Sequence, residues 1–258
     1  MTETIDTHAH VDTRPYEDFE LMAIGGITDV LTLAHDPMKM SSSIVFRDHF
    51  ERLFAERSRV EKTGPRLHVC LGLHPRARPD DLPACIALLE SYLKDASHPV
   101  TAIGEAGLES RDPFETEMLQ RQIELAITYD LPLILHTPRA DKAPMTRELV
   151  NVLSTFTLDR DRVVIDHADV STAKLIVDRG YNAGLTVQPG KLSPQQAVEI
   201  VKTLDPARLV LNTDMSSAPT DVLSIPRTVQ ALKHAGVHGV VIEAVSNKNA
   251  WRIFRLKL

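Results

Sequence analysis

Two histidines, His8 and His10, close a short alternating run that begins at Thr4. In an extended strand side chains alternate with a period of two, so both imidazoles project from one face and can share a metal ion. An isolated His-x-His pair is more often structural. The weight of this one comes from downstream, where Glu105, His136, His167 and Asp214 each stand at or just after the end of a separate apolar run. Packing does not explain that distribution. Four neutral imidazoles with two carboxylates suit zinc best, and manganese or magnesium are alternatives for a carboxylate-bridged site. Six ligands exceed what one four-coordinate ion uses while keeping a position for water, so two ions are the natural count. Glu105 can bridge them, and ions about 3.5 to 4 Å apart generate hydroxide and clamp a developing oxyanion. The chemistry is hydrolytic.

The elements that must position these groups alternate along the chain. Strand readings fall at residues 4–8, 28–34, 67–73, 100–103, 132–135, 163–165, 183–187 and 208–211. Helical readings fall between them, including a long amphipathic helix at 44–62 and a helix opened by Ser193 as cap with Pro194 in its first turn. Two further helices, 222–235 and 248–256, close the chain. Strict alternation with continuous apolar strands indicates a parallel sheet buried on both faces, and eight repeats favour closure into a (β/α)₈ TIM barrel, one α/β domain over residues 1–258. No Gly-x-Gly-x-x-Gly follows the first strand, which removes the best local support for a dinucleotide-binding sheet. In a barrel the strand C-termini converge, and every ligand candidate falls there.

Bulk properties narrow the function classes. The 258 residues are 43% hydrophobic and 25% charged, an ordinary globular composition. A net charge of −6 and a pI near 6.0 argue against a broadly basic surface that coats nucleic acid. Cys70 and Cys85 lack metal-type spacing and read as reduced thiols, Cys70 within the core. Neither a leader segment nor an apolar run long enough for a bilayer is read from the sequence, so a cytoplasmic location with no membrane partner is expected.

The chain resembles the amidohydrolase superfamily and, within it, the TatD-related metal-dependent hydrolases. The matching blocks are Thr7-His8-Ala9-His10, Gly72-Leu73-His74-Pro75, Gly104-Glu105-Ala106-Gly107-Leu108, Pro132 through His136, His167, and Thr213-Asp214, in the family's order. The resemblance implies that His8, His10, Glu105 and Asp214 surround one ion and Glu105, His136 and His167 the other. It implies that Glu105 is shared and that Asp214 also accepts the proton of the attacking water, which makes Glu105 and Asp214 the catalytic pair. Asn212 stands where the family usually has Glu, and Ala168-Asp169-Val170-Ser171 replaces the Cys-Phe-Ser-Gly-like stretch after the sixth-strand histidine. These loops face substrate in the family, so the departures point to a TatD-like branch distinct from its deoxyribonucleases.

Four further residues are read as substrate contacts. His74 precedes Pro75 and stands outside the filled ligand set, Arg139 suits a two-pronged contact with an anion, and His35 and Lys191 occupy strand ends, as do Asp36 and Gln188. His49, His68, His98, His234 and His238 read as structural or exposed. The function expected is a hydrolase whose metal-bound hydroxide cleaves a phosphoester, ester, lactone or amide in a small substrate, with Arg139 and Lys191 favouring an anionic one. The alternatives are a TatD-type exonuclease acting on DNA, a partner not favoured here, and a metal-binding barrel without turnover. Oligomeric state is not legible.

Overall fold

The computed structural model describes residues 3–35 and 39–256. Eight strands form one parallel sheet in sequence order: β1 (Thr4–Ala9), β2 (Ile27–Leu33), β3 (Arg66–Leu71), β4 (Val100–Gly107), β5 (Leu133–His136), β6 (Val163–Ile165), β7 (Asn182–Thr186) and β8 (Leu209–Asn212). The sheet curls until its edges meet. Asp214 N–H donates to His8 O at 2.8 Å, His10 N–H to Met215 O at 2.8 Å, and Thr7 Oγ1 to Leu211 O at 3.1 Å. Helices cover the outside: α1 (Tyr16–Ile24), α2 (Ser43–Ala55), α3 (Arg57–Glu61), α4 (Leu82–Lys94), α5 (Pro113–Thr128), α6 (Lys142–Ser154), α7 (Ala173–Asp178), α8 (Pro194–Thr203), α9 (Ser224–His234), α10 (Gly239–Glu243) and α11 (Asn249–Phe254). The expected TIM barrel is the fold.

The strands read as unbroken apolar runs because both of their faces are buried in apolar layers. Val69 and Leu71, Leu133 and Leu135, and Leu209 and Leu211 pack outward under the helices, while Cys70, Ile134 and Val210 between them fill the barrel interior. Ile253, Phe254 and Leu256 join that inner cluster. Among the described residues no helix is long and apolar enough to cross a membrane.

Three differences from the expected boundaries matter most. The helix expected at 44–62 is two, α2 and α3, divided at Glu56. After the break Arg59 pairs with Glu56 and donates to Arg14 O at 2.8 Å and Val11 O at 2.9 Å, tying α3 to the loop that follows β1. Strand β4 runs on to Gly107, so Glu105 lies inside it rather than after it. The last helical region begins at Gly239, well before residue 248, and passes through a π turn at Ala244–Lys248 into α11.

Candidate metal centre

His8 and His10 leave β1 with both rings oriented from behind. His8 Nδ1 is 2.7 Å from Asp166 Oδ2 and His10 Nδ1 is 3.1 Å from the Leu33 carbonyl oxygen. A carboxylate and a carbonyl only accept, so each Nδ1 carries a proton, and each ring in its neutral form presents a lone pair at Nε2. Those two lone-pair nitrogens face each other at 3.2 Å. Asp214 Oδ1 lies 3.1 Å from His10 Nε2 and 3.5 Å from His8 Nε2, and Glu105 Oε2 lies 3.4 Å from His8 Nε2 and 3.7 Å from His10 Nε2. Four acceptor atoms thus converge with no donor among them. Such a set fits a divalent cation. The same convergence draws a proton onto His8: burial lowers its pKa, but Glu105 and Asp166 together raise it well above the ordinary 6.5.

Glu105 turns its other oxygen to a second group. Oε1 lies 2.9 Å from His136 Nδ1 and 3.1 Å from His167 Nε2, so one carboxylate stands between two histidine pairs. Burial pushes Glu105 up, yet the charge of His8 and the neighbouring His74, His136 and His167 hold its carboxyl well below the usual range. His136 is backed at Nε2 by Glu109 at 2.7 Å. His167 is held differently: its Nδ1 lies 2.9 Å from both Thr186 Oγ1 and Lys191 Nζ, and the tautomer that gives its Nδ1 proton to the Thr186 hydroxyl oxygen is the one that turns an Nε2 lone pair toward Glu105. Burial and the Lys191 charge keep His167 neutral, well below 6.5. Lys191 also meets Asp214 Oδ2, where Gln188 Nε2 donates at 2.8 Å. Burial raises the Asp214 carboxyl, and Lys191 and His10 bring it well below 3.8.

Backbone conformation turns two of these groups inward. His167 (φ 59°) and Asp214 (φ 47°) both occupy the left-handed region, which non-glycine residues adopt mainly where surrounding structure demands it. Strand β4 approaches β5 so closely that a Cβ at Gly107 would lie 2.5 Å from His136 O. Glycine there lets the Glu105 and His136 backbones sit side by side.

A cavity of about 420 Å³ opens over the centre. His35, Arg139 and Lys191 of the expected substrate contacts line it, as does Gln188, together with Ser216, Ser217 and Ala218 of the loop after Asp214. His74 lies beneath, 2% exposed. Its Nδ1 accepts the Arg76 backbone N–H at 3.1 Å, which leaves the proton on Nε2, 3.8 Å from Glu105 Oε1 and without a hydrogen-bond partner among the described residues. Burial, followed by the charge of His10, pushes His35 down to about 3. Asp36 lies outside the described residues.

The family model described as TatD related DNase matches residues 5–255. The chain belongs to the TatD family. It is 38% identical to an uncharacterized metal-dependent hydrolase of Methanocaldococcus jannaschii, over 98% of this chain and 100% of that one. It is 28% identical to the uncharacterized metal-dependent hydrolase YjjV of Escherichia coli, over 83% of this chain and 80% of YjjV. Among solved structures, a TatD-like protein from Archaeoglobus fulgidus is similar at a TM-score of 0.83 and 29% identity, covering 98% of this chain and 100% of that one. This TatD barrel is a metal-dependent hydrolase.

Sequence reasoning missed three groups in this TatD site. Arg76 lines the cavity two residues after His74, Glu109 backs His136, and Asp166 backs His8. Asp166 had a signal: an acid directly after the apolar run Val163–Ile165 and beside a ligand candidate. Glu109 had little, since only the turn after β4 folds it back over His136.

Proposed function

We propose that the protein hydrolyses an ester or phosphoester bond, or a lactone or amide of comparable size, in a small anionic substrate, at a centre of two divalent ions, zinc above manganese or magnesium. The observation that carries this reading is the placement of Glu105, one oxygen toward His8 and His10 and the other toward His136 and His167. His8, His10, Glu105 and Asp214 would hold one ion, and Glu105, His136 and His167 the other. Ions bound there would supply Lewis acidity, making a water nucleophilic near neutral pH and polarising the scissile bond.

The chain's own groups divide the remaining work. Asp214 accepts the proton of the attacking water and returns it to the leaving group, oriented for this by Gln188 and Lys191. Arg139, Arg76 and Lys191 at the cavity wall favour an anionic group on the substrate. A substrate oxygen that engages Lys191 loosens its contact with Asp214 Oδ2 and leaves that oxygen to take the proton. His35 borders the cavity as a contact to substrate oxygens, and beneath it His74 offers a buried Nε2–H beside Glu105. The overall acidity disfavours a long nucleic acid, and no ligand of the set is replaced, which disfavours a barrel without turnover.

The test is metal analysis of the purified protein, then a panel of chromogenic phosphoesters, esters and lactones with single-stranded DNA included. Divalent metal should copurify or be taken up, and chelation should abolish turnover. Absence of divalent metal after metal-supplemented preparation, together with chelator-insensitive activity, would overturn the reading. Preferential cleavage of DNA, with binding that weakens steeply with salt, would replace the small substrate by a nucleic acid.

A further inference from the structure

We propose that Asp166 is the positioning residue of the metal centre, and that Asn212 and Gly184 serve to aim it. The proposal rests on the placement of an ion at His8 and His10 given above. His8 is fully buried, and among the described residues the group on its Nδ1 is Asp166 Oδ2 at 2.7 Å. The direction of the His8 Nε2 lone pair therefore depends on where that carboxylate stands. Asp166, itself without exposed surface, is hydrogen-bonded from β5 and from β8. Its backbone N–H donates to Leu135 O of β5 at 2.8 Å, Thr137 Oγ1 just past β5 donates to its carbonyl at 2.8 Å, and Asn212 Nδ2 of β8 donates to Oδ1 at 2.9 Å.

From β7 the contribution is space. A Cβ at Gly184 would lie 1.5 Å from Asp166 Oδ1 and 2.7 Å from its Cγ, so no other residue fits while the carboxylate keeps its place. Both carboxylate oxygens are thus committed, one to His8 and one to Asn212, and neither reaches toward the position of an ion. A group that is buried, fully hydrogen-bonded and one bond removed from a ligand sets ligand orientation and basicity, and removal of such a partner typically weakens metal binding 10–100-fold. The arrangement also accounts for Asn at position 212. A carboxylate there would have no proton to donate to Asp166 and would repel it.

The experiment measures zinc affinity of the full chain by competition with a chromophoric chelator, with no substrate present, for the wild type and Asp166→Ala, Asp166→Asn and Gly184→Ala. Asp166→Ala should bind zinc about 10–100-fold more weakly. Asp166→Asn should lose distinctly less, because the new amide keeps an acceptor for His8 and Asn212 can turn its partnerless Oδ1 to the new N–H₂. Gly184→Ala keeps the charge but displaces the carboxylate, and should resemble Asp166→Ala. A packing role alone would lower the melting temperature of all three without this order of affinities. Wild-type affinity in Asp166→Ala and Gly184→Ala, with circular dichroism unchanged, removes the proposal. A wild-type chain that takes up no zinc removes the metal reading and this proposal with it.

Discussion

Asp214 is gripped on both oxygens, and the two grips divide its work. Oδ1 belongs to the convergence with His8 and His10, whereas Oδ2 is held by Gln188 and Lys191. Asp214→Asn preserves the shape and can still offer one oxygen toward His10, but it removes the proposed base. Hydrolysis should fall by about two orders of magnitude or more, the range for a positioned acid or base, with at least one ion retained by elemental analysis. Turnover near the wild-type rate with verified metal content would eliminate Asp214 as proton acceptor. Lys191 makes a separable prediction, because a donor-only cation at the cavity wall distinguishes substrates by charge. Lys191→Met should raise KM for an anionic phosphoester about tenfold or more, the loss of one charge-assisted hydrogen bond, and leave KM for a neutral lactone or ester nearly unchanged. Equal effects on both would show that Lys191 acts only by orienting Asp214 and His167.

Strands β2 and β3 carry a charged cluster at their opposite, N-terminal end. Asp29, with no exposed surface, accepts from Arg66 Nε at 2.9 Å, Arg66 Nη2 at 3.0 Å and His68 Nε2 at 2.8 Å. Burial alone would raise its carboxyl, but His68, Arg66 and Thr28 outweigh burial and bring it below the ordinary 3.8. Asp29→Asn should cost about 1.5–3 kcal/mol at pH 7 by urea denaturation, the worth of hydrogen bonds to a charged group, and no more, since Arg66 and His68 retain access to water. A lowered carboxyl stabilises the fold above its unfolded value and loses that contribution as pH falls through the lowered one. The gap between wild type and variant should therefore be full above pH 3.8 and close below it; a gap that persists in stronger acid would assign the cost to packing. The same strands show what the sequence makes legible. Apolar runs ended by polar residues mark all eight strands, and Ser193 caps α8 as Ser-Pro suggests, within a capping box completed by Gln196. Strand β4 reads short because Gly104 and Gly107 look like terminators, whereas their missing Cβ atoms are what lets β5 lie alongside. The start at Gly239 is hidden by the β-branched run Val240-Val241-Ile242, whose helical state is set by burial of Ile242 and Val245 rather than by local propensity. The six ligand candidates are visible because each interrupts an apolar pattern. Their supports are less so: Asp166 is marked by its place after an apolar run, but what Asn212 and Gly184 do for it emerges only once β6, β7 and β8 are side by side.

At the scale of the molecule, the chemistry and the core occupy different ends of one barrel. The inner cluster of Ile5, Leu31, Cys70, Ile134, Val164 and Val210 continues into α11, while the ligand candidates gather at strand C-termini and their loops. Apolar layers inside and outside the strands therefore supply the folding free energy without the ligand set, and the barrel should persist when metal is removed. Metal should still stabilise it, since the ligand constellation exists only in the folded state and an ion bound to it shifts unfolding by mass action. Free zinc at about 100 times its dissociation constant adds about 2.7 kcal/mol. For a chain of this size each kcal/mol moves the melting temperature by about 2–4 °C, so a rise of about 5–10 °C is expected. Chelator-treated protein should keep its far-ultraviolet circular dichroism and melt in one transition at the lower temperature. His8→Ala should abolish most of the zinc-induced rise, because it deletes a nitrogen from the convergence while leaving the apolar layers untouched. Two outcomes would break this division of labour: loss of the dichroism spectrum on chelation would make metal part of the fold, and an unmoved melting temperature at saturating zinc would deny the native state any preference for the ion.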